Sequence, residues 1–313
     1  MRSTALLNKA SRKRTPRENV KYFWRKNRTG WLFVLPLVIG LGIFTVYPMI
    51  QSFIWSFYNY TGNRLYYPVG LGNYIAIFTR DSEFWRVLGN TVFYTFVSVP
   101  IALVTSYLLA VLVNQKMKSV GAFRVLYYLP VIIPGVVSGL LWSDIFAYNG
   151  LFNKMLGWVG LHSDFFNSER WYVAIGSIFL MNLWGVGGGM ILWLAAFKAI
   201  PSQLYEAARI DGGGRVQQFF HVTIPMSMPM IFFNVITMLI GSLQFNGTLV
   251  FAYEGKGEND SLYMFAVKIY NEAFKSSKYG YSSALSWVLL FFVGIVTAVC
   301  FYVRKKVFDW EEG

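Results

Sequence analysis

Two carboxylates, two alanines and three glycines stand together in Glu206-Ala207-Ala208-Arg209-Ile210-Asp211-Gly212-Gly213-Gly214, a polar stretch between two long apolar runs. A short helix carrying Ala207 and Ala208 is slim enough to lie in another protein's groove, where Glu206 and Asp211 offer charge-assisted hydrogen bonds. Gly212 and Gly213 permit a sharp turn, because glycine enters positive φ without steric cost. Tyr205 precedes the helix's acidic residue, and Arg215 to Phe220 can form a second short helix. Pro225 suits the first turn of the apolar run that follows. This is the chemistry of docking; no covalent bond changes.

A second set of residues is polar where the chain is otherwise apolar. Asn182, Trp184, Asn234, Gln244 and Asn246 lie at or near the interiors of apolar runs, where unpaired polarity is costly. Amides that donate and accept, beside a stacking indole, suit a hydroxyl-rich ligand. Hydrogen bonding between helices uses the same groups.

Other chemistries lack their residues. No Gly-rich loop ends in Gly-Lys-Ser/Thr, so the chain has no P-loop of its own for ATP. His162 and His221 fall in separate loops with no helical partner for a metal. Asp144 is the one acid inside an apolar run, and it lies near the end of that run. Proton-driven carriage needs buried titratable groups, so energy is expected from another chain. No cluster of His, Asp and Glu favours a membrane enzyme. The lone Cys300 leaves no intrachain disulfide.

The elements that must position these groups are membrane helices. Of 313 residues, 55% are apolar, 19% aromatic and 14% charged, whereas soluble domains carry about a quarter charged residues. A bilayer span takes about 20 mostly apolar residues. Six stretches qualify: Trp31 to Phe57, Leu88 to Val113, Phe123 to Phe146, Trp171 to Phe197, Pro225 to Leu249 and Tyr281 to Val303. The first is too long for a cleavable signal segment and reads as a retained span. The reading is an all-α integral membrane protein with a basic arm over 1–30, a six-helix domain over 31–306 and a tail over 307–313. Its polar helix loop occupies about 198–224. Pro36, Pro48, Pro100, Pro130 and Pro134 are expected to bend their spans. Gly185 and Gly189 form a small-xxx-small pair suited to close packing.

The arm carries ten Lys/Arg and one acid, Glu18. With six spans, the arm, the loops around Lys116 and Glu206, and the C-terminal end share one side, with 19 basic and 6 acidic residues. The whole formal excess of +13 lies there, which the positive-inside rule assigns to the cytoplasm. Basic loops bordering spans explain that charge without nucleic acid.

The motif resembles the "EAA" loop of ABC-importer permeases: Glu-Ala-Ala, Gly212 after three residues, then Val222, Ile224 and Pro225 closing the pattern. Ile200-Pro201, Leu204-Tyr205, Ile210-Asp211-Gly212, Phe219 and Pro229 resemble its carbohydrate branch. At average residue usage such a combination arises by chance in about one chain in a thousand. Leu35-Pro36, Tyr47-Pro48, Asn90-Thr91, Phe123-Arg124, Leu129-Pro130, Gly150-Leu151 and Tyr279-Gly280-Tyr281 are similar to sugar permeases of the maltose, lactose and glycerol-phosphate type. Where that family often has Thr-x-Gly-Gly-Pro, this chain has Tyr253 to Glu258.

The resemblance implies a type I ABC-importer permease core in a bacterial inner membrane, with both termini cytoplasmic. It further implies a second homologous permease, two ATP-binding subunits holding ATP-Mg, an extracytoplasmic solute-binding protein and a sugar cargo, with no cofactor on this chain. Tyr205, Glu206, Ala207, Ala208, Asp211, Gly212, Gly213 and Pro225 then form the ATPase coupling loop. Two other readings stay open: a permease for an anion, amino acid or peptide, and a scaffold that transports nothing.

Overall fold

The computed structural model describes residues 16–63, 66–114, 120–166, 168–244 and 256–308. They form two units, residues 1–54 and 55–313. The first unit holds helix α1 (Pro16–Leu41), a π turn at Gly42–Val46 and the start of α2 (Tyr47–Trp55). The basic segment from Pro16 onward is thus helical and continuous with the first apolar run.

In the second unit, a two-stranded ribbon pairs β1 (Tyr58–Asn59) with β2 (Tyr67–Pro68), and short α3 (Gly72–Thr79) follows. Next come α4 (Phe84–Val113), α5 (Val120–Ile132), α6 (Gly135–Ile145), α7 (Leu151–Gly157), α8 (Trp171–Trp184) and α9 (Gly187–Ala199). Helix α10 (Ser202–Ile210) carries the acidic motif. Short α11 (Arg215–Gln218) and a second π turn (Phe219–Thr223) lead into α12 (Ile224–Leu243). After a 3-10 turn at Glu258–Asp260 come α13 (Phe265–Tyr270), a third π turn (Asn271–Lys275) and α14 (Tyr279–Phe308).

Among the described residues, Asn27–Trp55, Phe84–Val113, Arg215–Leu243 and Tyr279–Lys306 are each long and apolar enough to cross a membrane. At about 1.5 Å per residue they exceed a hydrocarbon core of roughly 30 Å. The third and fourth expected spans are not straight. α5 and α6 meet at 99°, and α8 and α9 at 49°, so the described residues hold up to six candidate spans when each bent pair is one. Proline has no N–H to continue a helix and drives the residue before it out of the α region, and α6 restarts at Pro134 with ψ 138°. The fourth span breaks at Gly185-Val186, where glycines weaken the helix. Pro100, by contrast, sits inside an unbroken α4.

Pro48 and Pro225 share a local solution. Each comes two residues after the end of a π turn, at Val46 and Thr223. The wider turn moves the carbonyl four residues earlier clear of the proline ring.

Two cores hold the second unit. One gathers Ile77, Phe84, Val87, Ile178, Phe265 and Leu285 around α13. The other, near α10, gathers Tyr107, Met190, Trp193 and Phe197.

Candidate functional site

Helix α10 opens after the extended Pro201 (ψ 131°) and closes in a Schellman turn. Gly213 N–H donates to the Ala208 carbonyl at 2.7 Å, and Gly212 N–H donates to the Arg209 carbonyl at 3.0 Å. Gly212 adopts φ +82°, the conformation this motif needs at that position. Gln218 then donates through Nε2 to the Gly213 carbonyl at 2.8 Å, so the turn is braced from the far side.

Among the described residues, one side-chain bond holds the helix to the base of the fifth span. Tyr205 Oη lies 3.0 Å from Thr223 Oγ1 inside the second π turn. The turn's first residue, Phe219, packs edge-on against Tyr107, with ring centroids 6.0 Å apart. Tyr107 in turn meets Trp193 at 4.9 Å and pairs its hydroxyl with Ser227 Oγ at 2.9 Å. Trp193 Nε1 donates to Ser106 Oγ at 3.0 Å. These contacts join the π turn beside α10 to the second and fourth spans through packed rings, which are close to incompressible.

The residues singled out from the sequence divide by exposure. Tyr205, Ala208 and Gly213 turn partly inward; Glu206, Ala207, Asp211, Gly212 and Pro225 are exposed. Among the described residues, no side-chain bond engages Glu206 or Asp211. Ile210 and Val216 are 86% and 72% exposed, so the loop also presents apolar surface. Only Ala208 of the two alanines faces the chain itself; Ala207 is the one available to a partner.

A cavity of about 300 Å³ lies between α4, α8–α9 and α12. Asn182 lines it and donates through Nδ2 to Tyr94 Oη at 2.7 Å. Ser98 Oγ and Ser242 Oγ are 3.1 Å apart, and Ser242 also reaches Thr95 Oγ1 at 3.1 Å. Tyr94, Ser98, Thr95 and Ser242 were not among the sequence candidates; Tyr94 and Ser98, one helical turn apart on an apolar helix, were the available signal. The other candidates lie elsewhere. Trp184 packs edge-on against Trp142 at 5.9 Å. Asn234 is buried and donates to the Met230 carbonyl at 2.9 Å within its own helix. Gln244 is exposed at the end of α12, and Asn246 falls outside the described residues.

Gly187 and Gly189 make the close approaches anticipated for Gly185 and Gly189. A side chain at Gly187 would collide with the Tyr127 backbone, and one at Gly189 would come within 3.2 Å of Ser106 Cβ. Gly185 meets only its own helix, at Asn182.

At the end of the bundle away from α10, the segment around α13 folds around a buried cation. Lys268 is 1% exposed, with Nζ 3.0 Å from Asp81 Oδ2 and 2.8 Å from Glu83 Oε2. Tyr281 donates to Asp81 Oδ2 at 2.5 Å. Burial pushes the Asp81 carboxyl up, but hydrogen bonds from Tyr281 and Lys268 outweigh it and hold the group below its usual range. The Lys268 hydrogen bond holds Glu83 down against its own burial. Burial alone would lower Lys268, yet the bonds to Glu83 and Asp81 leave it raised.

These features find a match among known proteins. The family described as "binding-protein-dependent transport system inner membrane component" matches residues 68–308. A probable ABC transporter permease, YesP of Bacillus subtilis, is 34% identical over 92% of this chain and 94% of its own. The lactose transport system permease LacF of Rhizobium radiobacter is 32% identical over 93% and 98%. The multiple sugar-binding transport system permease MsmF of Streptococcus mutans is also 32% identical, over 93% and 99%. In structure, a bacterial ABC transporter involved in alginate import superimposes with a TM-score of 0.81 at 22% identity, covering 93% of this chain and 100% of the other.

Proposed function

This chain belongs to the family of binding-protein-dependent transport system inner membrane components, and on that premise we propose that it moves a sugar or oligosaccharide inward as one permease subunit of an ABC importer. It is a multi-pass membrane protein with the fold of a type I importer permease. Relatives named for lactose and for multiple sugars, similar over nearly the whole chain, support the cargo class.

The observation that carries the mechanism is the α10 loop. Glu206 and Asp211 stand exposed on a helix locked by its Schellman turn and tied through Tyr205 to the fifth span. We assign that face to an ATP-binding partner on the cytoplasmic side, with ATP-Mg held by the partner. Closure of two such partners pushes α10, and the ring stack from Phe219 through Tyr107 to Trp193 passes the displacement to the spans. Asn182, Tyr94, Ser98 and Ser242 offer the cargo's hydroxyls donors and acceptors on the way. A second permease completes the path, and a soluble binding protein delivers the cargo from outside.

Affinity purification of the chain co-expressed with its neighbouring genes tests this reading. Recovery of a P-loop ATPase, a second permease and a sugar-binding protein is expected. A chain that purifies alone, with no ATPase activity in any preparation, overturns it.

A further inference from the structure

The cavity that Asn182 lines borders weakened points of two spans. α4 passes Pro100 between Val99 and Ile101, both on the cavity wall; the fourth span breaks at Gly185-Val186, also on the wall. The third span breaks before Pro134. Contacts sort cleanly to either side of these breaks. On the side of α8, Tyr94 bonds Asn182 and stacks on Phe179 at 5.5 Å and 8°, and Trp142 of α6 meets Trp184. On the side of α9, Ser106 and Tyr107 hold Trp193. There α5 also grips α9: Gly187 presses on the Tyr127 backbone, and the Val131 methyls lie 3.5 and 3.6 Å from where a Gly188 β-carbon would stand.

The half of the bent third span before Pro134 thus packs along α9, and the half after it touches α8 through the Trp142–Trp184 pair. Bending at a break costs little, because the helical hydrogen bonds there are already absent. Sliding a close-packed backbone contact or an indole pair opens a void and costs more. Trp142 Nε1 is buried without a hydrogen-bond partner, an arrangement that a donor escapes if its surroundings shift.

We propose that the third span positions the fourth, α6 moving with α8 and α5 with α9 about the paired breaks at Pro134 and Gly185-Val186. Trp142 and Gly187 are the positioning residues, and the motion opens and closes the cavity that Asn182 lines. The significance of that opening rests on the importer reading above.

The test uses the assembled transporter carrying Cys300→Ser. In the double variant Val131→Cys with Gly188→Cys, oxidation to a disulfide is expected to leave sugar uptake within about twofold of the reduced form, because the two segments move together. Loss of about tenfold or more on oxidation, restored by reductant, means the segments slide past each other and overturns the proposal. Spin labels on the exposed Leu126 and Leu141, one on each side of the third-span break, give a readout independent of cargo. Their separation is expected to shift by several ångströms when the ATPase partners bind ATP, and an unchanged separation in a transporter that still takes up sugar also overturns it. A shift with ATP in a complex that moves no sugar sinks the cargo assignment and leaves the hinge intact. Trp142→Ala is expected to raise the KM for uptake at unchanged chain abundance, with Trp142→Phe restoring most of it; equal behaviour of the two contradicts a positioning role for the ring.

Discussion

Tyr205 Oη and Thr223 Oγ1, 3.0 Å apart, form a polar bond that ties the exposed α10 helix to the base of the fifth span. The bond spans a glycine turn that is braced internally, so the helix and the span move as a jointed pair. Removing it leaves each element folded and loosens the joint.

Tyr205→Phe is accordingly expected to keep the complex assembled while lowering uptake per ATP hydrolysed by about three- to tenfold, the worth of one neutral hydrogen bond. Thr223→Val is expected to do the same, and the double variant to do no worse than either single one. Additive losses in that cycle would show that the two residues act separately.

The three glycines after α10 differ in their tolerance. Gly212→Ala places a side chain at φ +82° and costs about 1–2 kcal/mol of local conformation. Gly213→Ala sets a β-carbon 2.6 Å from the Ala208 carbonyl. Gly214 has φ −69° and open space around it, so Gly214→Ala is expected to behave as wild type. Protease nicking of the loop and ATP-linked uptake should rank the variants in that order; equal uptake by all three contradicts the turn assignment.

Lys268 bridges two acids at the far end of the bundle, and Lys256 stands 3.7 Å from the second of them, Glu83. Lys268→Met leaves the Asp81 carboxylate largely buried beside Glu83 without its cation, and about 3–5 kcal/mol of stability is expected to go with it. The pH dependence follows from the signs of the shifts. Asp81 and Glu83 lie below their ordinary values, so their contribution is present above the ordinary carboxylate range and is lost as pH falls through the lowered values. Lys268 is raised, so its contribution is complete below 10.5 and is lost as pH rises beyond it. Thermal unfolding of the purified complex should show a plateau across neutral pH, with a fall in acid that Lys268→Met no longer shows.

Asn182→Leu removes a cavity amide and the hydrogen bond it donates to Tyr94 Oη. The expected outcome is a KM for uptake raised about three- to tenfold, with basal ATPase activity near wild type. A KM unchanged in this variant would move the cargo off this face.

Much of this architecture was legible in the residues. Apolar length gave the spans, and Glu206 to Gly214 with Pro225 gave a short helix closed by a glycine turn ahead of the fifth span. The bends were only half legible: Pro134 breaks its span by 99°, whereas Pro100 sits in a continuous helix, because the outcome depends on what packs alongside. Gly187 outranks Gly185 as a packing glycine for the same reason, since Tyr127 comes from another helix. The Ser98 to Ser242 contact joins residues 144 positions apart, and Lys268 meets Asp81 across 187. Neither pairing has a local spacing to read. Asn234 illustrates the converse, a buried amide in a span that bonds its own backbone.

We propose that the exposed Glu206 face of α10 carries the work of ATP hydrolysis into the spans. The most direct measurement is sugar uptake and ATP hydrolysis, side by side, by the complete complex in proteoliposomes containing wild type or Glu206→Ala. Loss of one charge-assisted contact is expected to lower uptake about tenfold or more at undiminished membrane insertion, with ATPase stimulation by the binding protein lost in parallel. Wild-type uptake and stimulation in the Glu206→Ala complex would contradict the account.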